Sequence, residues 1–74
     1  MKTYEGYEGY LNFRGMSDSE MIAELKKHER VEIPSFLAGR CWYDVETVAG
    51  MAGMRVGRKY DHENWEEYYV FVKR

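Results

Sequence analysis

Apolar positions recur along this chain at two different spacings, and the switch between them predicts its elements. Met21, Ile22, Leu25 and then His28 or Glu29 fall on one face of a 3.6-residue period, which predicts a helix over residues 17–29. Ser17 with Glu20 three residues on forms a capping box, and Met16 and Met21 are spaced for a hydrophobic staple. Asp18, Glu20 and Glu24 come early and Lys26, Lys27 and His28 late, which suits the helix dipole, and Glu24 can reach Lys27 or His28. In residues 30–34 Val31 and Ile33 alternate with Arg30 and Glu32, a brief strand that Pro34 confines to a sheet edge. Ser35 opens a short helical turn through Phe36, Leu37 and Ala38, broken near Gly39. Residues 44–52 predict a second helix capped by Asp44, with Val45, Val48, Ala49 and Ala52 on one face. Gly50 weakens it by about 1 kcal/mol, and Gly53 stops it as a left-handed cap. From Met54 the period falls to two. Met54, Val56 and Arg58, and later Tyr68, Val70 and Val72, alternate with their neighbours on either side of a polar loop around Trp65, so the C-terminus predicts an antiparallel hairpin.

Before the first helix, Tyr4, Tyr7, Tyr10 and Phe13 recur every third residue, with Gly6 and Gly9 between the tyrosines. Glycine weakens helix and strand alike, so residues 1–13 predict an arm or edge strand, with a short strand near residues 10–14. Residues 14–74 predict a single α+β domain. In it two short helices pack on the C-terminal antiparallel hairpin, in winged-helix-like order, with a possible extra N-terminal strand. Phe36, Leu37, Trp42 and Tyr43 are expected to supply much of its core.

Composition narrows the function. Seventy-four residues make one domain, and a domain this small buries only about 60% of its unfolded surface. Eleven basic residues against 13 acidic give a net charge of −2, which argues against a nucleic-acid binder driven by bulk charge but leaves room for a local basic patch. The single cysteine, Cys41, excludes an internal disulfide framework and suits a reducing, cytoplasmic setting. No apolar run approaches the ~18 residues of a membrane span, and the opening MKTYEGYEGY has no apolar signal-peptide region.

No catalytic or metal-binding pattern stands out. Asp61, His62 and Glu63 are consecutive and point apart, and no Cys-x-x-Cys or His-x-x-x-His spacing occurs. Cys41 beside Trp42 reads as a small core hydrophobe before it reads as a nucleophile served by His28 or His62. AGMAGMRVG lacks the order of a phosphate-binding glycine loop. No enzymatic activity, cofactor or metal is expected.

Two function classes remain. Tyr43-Asp44-Val45, Val48-Ala49-Gly50-Met51, Val56 and Arg58 resemble the helix-turn-helix of LacI-type repressors over residues 43–58. That resemblance implies a recognition helix bearing Arg55 and Arg58. The chain departs from the pattern at Glu46 and at Gly53 and Gly57. The winged-helix order suggests duplex DNA by another route, with helix 44–52 in the major groove and Arg55, Arg58 and Lys59 on phosphates. Residues 40–60 hold four basic and two acidic side chains, but the hairpin tip from Asp61 to Glu67 carries four carboxylates and no Lys or Arg, which phosphates would repel. The leading expectation is therefore a small regulatory or inhibitory protein, in the style of phage or mobile-element accessory proteins, that binds a larger protein. Its candidate contacts are Tyr4, Tyr7 and Tyr10, Trp65 with Glu66, and whichever of Tyr68 and Tyr69 faces outward. A homodimer that buries the aromatics is a third possibility.

Overall fold

The structure is a computed structural model that describes residues 10–74 and, for residues 3–4 and 7–9, only the course of the backbone. Two short antiparallel strands, β1 (Thr3–Tyr4) and β2 (Tyr7–Leu11), open the chain. Helix α1 (Asp18–Leu25) follows, then β3 (Arg30–Pro34), a single 3₁₀ turn (Ser35–Ala38), helix α2 (Trp42–Met51), β4 (Met54–Asp61) and β5 (Glu66–Lys73). The last three strands form an antiparallel sheet in the order β3–β5–β4. The fold is the expected small α+β domain in winged-helix-like order, with β3 added to the far side of the hairpin.

The capping signals at the start of α1 are realised. The Ser17 hydroxyl accepts from the Glu20 N–H at 3.2 Å, and the Glu20 carboxylate accepts from the Ser17 N–H at 2.8 Å. The helix stops at Leu25, earlier than expected. Lys27 and His28 N–H groups bond three residues back, to Glu24 and Leu25, so the chain tightens into a turn. After Leu25 the run Lys-Lys-His-Glu-Arg offers nothing apolar for the core, and helix propensity alone does not carry the element further. His28 still meets Glu24 at 3.2 Å.

Helix α2 begins two residues before the expected cap. Cys41 takes the N-cap position with no side-chain hydrogen bond, and Asp44 lies in the first turn. Burial explains the shift, because Trp42 packs on Tyr69 with ring centroids 5.2 Å apart, so tertiary contact extends the helix past its local signal. Val45, Val48, Ala49 and Ala52 form the buried face as expected. Tyr43 therefore points the other way and is 79% exposed, and Phe36 is also exposed. Both were expected in the core. Cys41 is exposed too, not a core hydrophobe.

Strand alternation sends Val31 and Ile33, Tyr69 and Phe71, and Met54 and Val56 to the face covered by the helices. Phe71 is fully buried at the centre, edge-on to Phe13 at 6.3 Å. Leu11 and Phe13 belong to this core, so the arm expected to end at residue 13 is already built into the domain by residue 11. The Phe13 N–H donates to the Leu37 carbonyl at 2.9 Å and holds this segment to the 3₁₀ turn.

The same seam requires a glycine. Gly39 has a φ of 71°, and a Cβ there would lie 2.9 Å from the Arg14 Cα. Gly50 has ordinary helical geometry and open space around it. Gly39→Ala is expected to destabilise the fold by more than about 1 kcal/mol, whereas Gly50→Ala should stabilise it by about 0.5–1 kcal/mol. Urea denaturation of the two variants checks the opposite signs.

Candidate interaction surface

The β4–β5 turn is built by one carboxylate. Asp61 Oδ1 accepts from the Glu63 and Asn64 backbone N–H groups at 3.0 and 3.4 Å, and Oδ2 accepts from the Asn64 side-chain amide at 2.8 Å. These bonds, the Asn64 amide first, hold the Asp61 carboxyl below the usual aspartate range. The turn then places Trp65 at φ 55°, the one non-glycine residue with positive φ among the described residues. A left-handed conformation costs a side-chain-bearing residue about 1–2 kcal/mol. It leaves the indole 78% exposed. Tyr60, at the base of the turn, is half exposed, with its ring edge-on to His62 at 4.9 Å.

Helix α2 is fixed against the hairpin by a column of three side chains. The Arg58 guanidinium sits 4.2 Å from the Trp42 ring centroid, and Trp42 packs on Tyr69. Arg58 and Tyr69 are paired across the sheet, and Tyr60 with Glu67 stands two rows nearer the turn. The first turn of α2 and the hairpin tip therefore lie towards the same end of the molecule. That end exposes Tyr43, Tyr60 and Trp65, with carboxylates from Asp44, Glu46, Asp61 and Glu63 exposed or nearly so. The outer side of α2 carries Tyr43, Asp44, Glu46, Thr47 and Met51 and no basic residue.

The remaining expected contacts divide. The side chains of Tyr4 and Tyr7 lie outside the described residues. Tyr10 is half-buried, its ring centroid 6.1 Å from that of Tyr68, and the Tyr68 hydroxyl donates to Glu66 at 3.1 Å. Tyr68 is thus the outward member of its pair. Tyr69 is not an available contact: strand alternation turns it inward, where it is 7% exposed against Trp42. Glu66 is half-buried and engaged by Tyr68.

The basic residues do not form one patch. Residues 54–61 are a strand, so Arg55 and Lys59 project from one face of the sheet and Arg58 from the other. Arg58 is occupied by Trp42, and Lys59 meets Glu32 at 3.1 Å, which Arg30 also meets at 3.1 Å. Arg40, counted among the local basic excess, is 10% exposed. It reaches back to the Met16 carbonyl at 2.6 Å, to Asp18 at 3.5 Å and to the Met21 sulfur, and so ties the loop before α2 to the start of α1. The stretch that resembles a LacI-type recognition helix lies in this same strand.

Sequence reasoning passed over Tyr43 and Tyr60. The period of α2 was a usable signal, because Tyr43 sits two residues before the buried Val45 and so on the opposite side of a helix. Among the described residues no group of three His, Cys, Asp or Glu side chains is placed to hold a metal ion, and no helix is long and apolar enough to cross a membrane. Comparisons with known protein families, with curated proteins and with solved structures returned no match.

Tyr68 and Tyr69 both ionise above the ordinary tyrosine value. For Tyr68 the causes are the hydrogen bond with Tyr10, then burial, then the Glu66 carboxylate; for Tyr69 the main cause is burial. Because the folded state disfavours both tyrosinates, the stability they contribute is present below pH about 10 and is lost as pH rises beyond it. Alkaline denaturation followed by tyrosinate absorbance should show a late phase that coincides with unfolding. Tyr68→Phe should shrink that phase.

Proposed function

We propose that this chain is a small non-enzymatic regulator that binds a larger protein, and that it binds with the acidic, aromatic end formed by the hairpin tip and the first turn of α2. The observation that carries this reading is Trp65, a large apolar side chain turned outward by a backbone conformation that tryptophan rarely adopts. A strained residue of this kind persists where the surroundings over-determine it, and such residues cluster at binding sites. An exposed indole on a turn that also carries Asp61, Glu63, Glu66 and Glu67 fits a partner with an apolar pocket inside a basic surface. The indole would supply the anchor, and the carboxylates would speed and orient the encounter.

Duplex DNA fits this end poorly. In a winged-helix binder the second helix and the hairpin tip approach phosphates, and here both carry carboxylates. Of the three bases that would serve DNA, Arg58 and Lys59 are already engaged within the fold. A single exposed thiol at Cys41 is in keeping with a reducing compartment such as the cytoplasm.

Affinity capture with the purified chain as bait is expected to retain one protein, and Trp65→Gly should weaken that complex by at least about 30-fold, the loss of about 2 kcal/mol of an interface anchor. Glycine accepts positive φ, so this variant should unfold no earlier than wild type. A duplex-binding signal at low salt that disappears in Arg55→Glu and is untouched by Trp65→Gly would refute the proposal in favour of DNA.

A further inference from the structure

The two ends of the β4–β5 hairpin are complementary to each other. The turn end presents Trp65 among Asp61, Glu63, Glu66 and Glu67 and has no Lys or Arg. The open end presents a shallow groove of about 520 Å³ lined by Arg55, Val56, Gly57, Val70, Val72 and Lys73. Its floor is apolar. Val70 pairs with Gly57 and Val72 with Arg55 across the strands, and Val72 is 40% exposed. A Cβ built on Gly57 would meet nothing within 4 Å, so the missing side chain leaves open space beside Val70.

Arg55 projects from the same face as this floor, whereas Lys73, paired with Met54, projects from the helix-covered face; Glu32, beside Val70 on the floor side, is already held by Lys59 and Arg30. None of the ion pairs among the described residues uses Arg55, Lys73 or Arg74. Arg74 is held at the same corner by its N–H bond to the Gly53 carbonyl at 3.2 Å. The hairpin thus carries an indole and negative charge at one end, and an apolar floor with positive charge at the other.

We propose that the chain associates with further copies of itself head to tail, with Trp65 of one copy seated over Gly57, Val70 and Val72 of the next. The occupant is a second copy because the chain itself supplies both halves of the contact, matched in charge and in apolar character. One molecule cannot make the contact alone. The paired rows of β4 and β5 between Gly57 and the turn at Asp61 hold groove and tip about 13–20 Å apart, and a laddered hairpin does not fold back on itself. The contact joins two different surfaces, so each addition leaves a free tip and a free groove, and a twofold dimer does not result. It is also weak. One tryptophan buries about 150–250 Å², well short of a standard interface, so association belongs in the range of about 0.1–1 mM and weakens with salt.

This inference uses the same tip as the proposed function and implies that partner binding and self-association exclude one another. It does not need the partner. Its test uses the purified chain alone, so its failure leaves the binding of a larger protein untouched.

Sedimentation velocity should show a weight-average s-value that climbs with protein concentration up to about 1 mM at low salt and climbs less at high salt. Trp65→Gly, which removes the tip, and Arg55→Glu, which inverts the charge at the groove, should each stay monomeric. Denaturation midpoints near wild type would show that both variants are folded. Mixed together, they should form a dimer that grows no further, because one retains only a groove and the other only a tip. A wild-type chain that stays monomeric at about 1 mM in low salt overturns the proposal. So does self-association that survives in Trp65→Gly, or a mixture of the two variants that fails to dimerise.

Discussion

Everything in this domain leans on the middle strand of its sheet. β5 ends one residue before the final arginine, yet it is the middle of the sheet, hydrogen-bonded to β3 on one side and β4 on the other. Its inward residues, Tyr69 and Phe71, receive Trp42 from α2 and Phe13 from the N-terminal segment. Phe13 and Phe71 are far apart in the chain, so their contact closes nearly the whole chain into one loop. Such closure is costly in entropy and slows folding. It also means that β3 and β4 share no sheet until β5 lies between them. The burial of Phe71 among Phe13, Val31 and Val56 is therefore what turns separate elements into a domain.

The placement of the basic residues follows from that core. A small α+β domain has little depth, and long side chains at its seams are used to close them. Arg40 lies along Met16 and Met21 with its charge near Asp18, and Arg58 covers the open side of Trp42. Guanidinium groups suit both tasks, since they stack on aromatic faces and donate in several directions at once. The consequence for the surface is indirect. The net charge is only −2, but with Arg40 largely buried and Arg58 held against Trp42, the second helix and the hairpin tip, which carry no Lys or Arg, are more negative than the overall count suggests.

The fold was more legible in the sequence than the surface. The Ser17–Glu20 box, the alternation after Met54 and the glycine stop at Gly53 are local signals, and each marks a real boundary or element. What local pattern could not show was where tertiary contact would override it. Asp44 reads as a cap, but the helix reaches back to Trp42 because Tyr69 is waiting for an indole some 27 residues on. Tyr43 and Phe36 read as core because a small domain needs aromatics, whereas the core filled with aliphatic residues from α2 and the sheet. The candidate surface was half legible. Trp65 and its acidic neighbours were identified as a possible contact, but the outward turn of the indole depends on Asp61 and Asn64 closing the loop. Tyr69 was separated from Tyr68 only by strand parity, which the register settles and the sequence does not.

Winged-helix order and acidic surface point in different directions, and the surface carries more weight for function. Chain order and sheet order are answers to packing; they say how two helices and three strands share one core, and the same answer serves unrelated tasks. Binding free energy arises where side chains meet a partner. Towards the end where a nucleic-acid binder of this shape would need cations, Asp44, Glu46, Asp61 and Glu63 are exposed or half-buried, and Tyr43, Tyr60 and Trp65 are exposed. Carboxylates at that end add repulsion from every nearby phosphate, and aromatic rings alone cannot offset it on a duplex whose bases are already stacked. The same set of groups is favourable against a cationic protein surface with a pocket, where the indole is desolvated and the carboxylates meet opposite charge. The strained backbone at Trp65 fits the same account, since a tip selected only to close the hairpin would relax with glycine at that position.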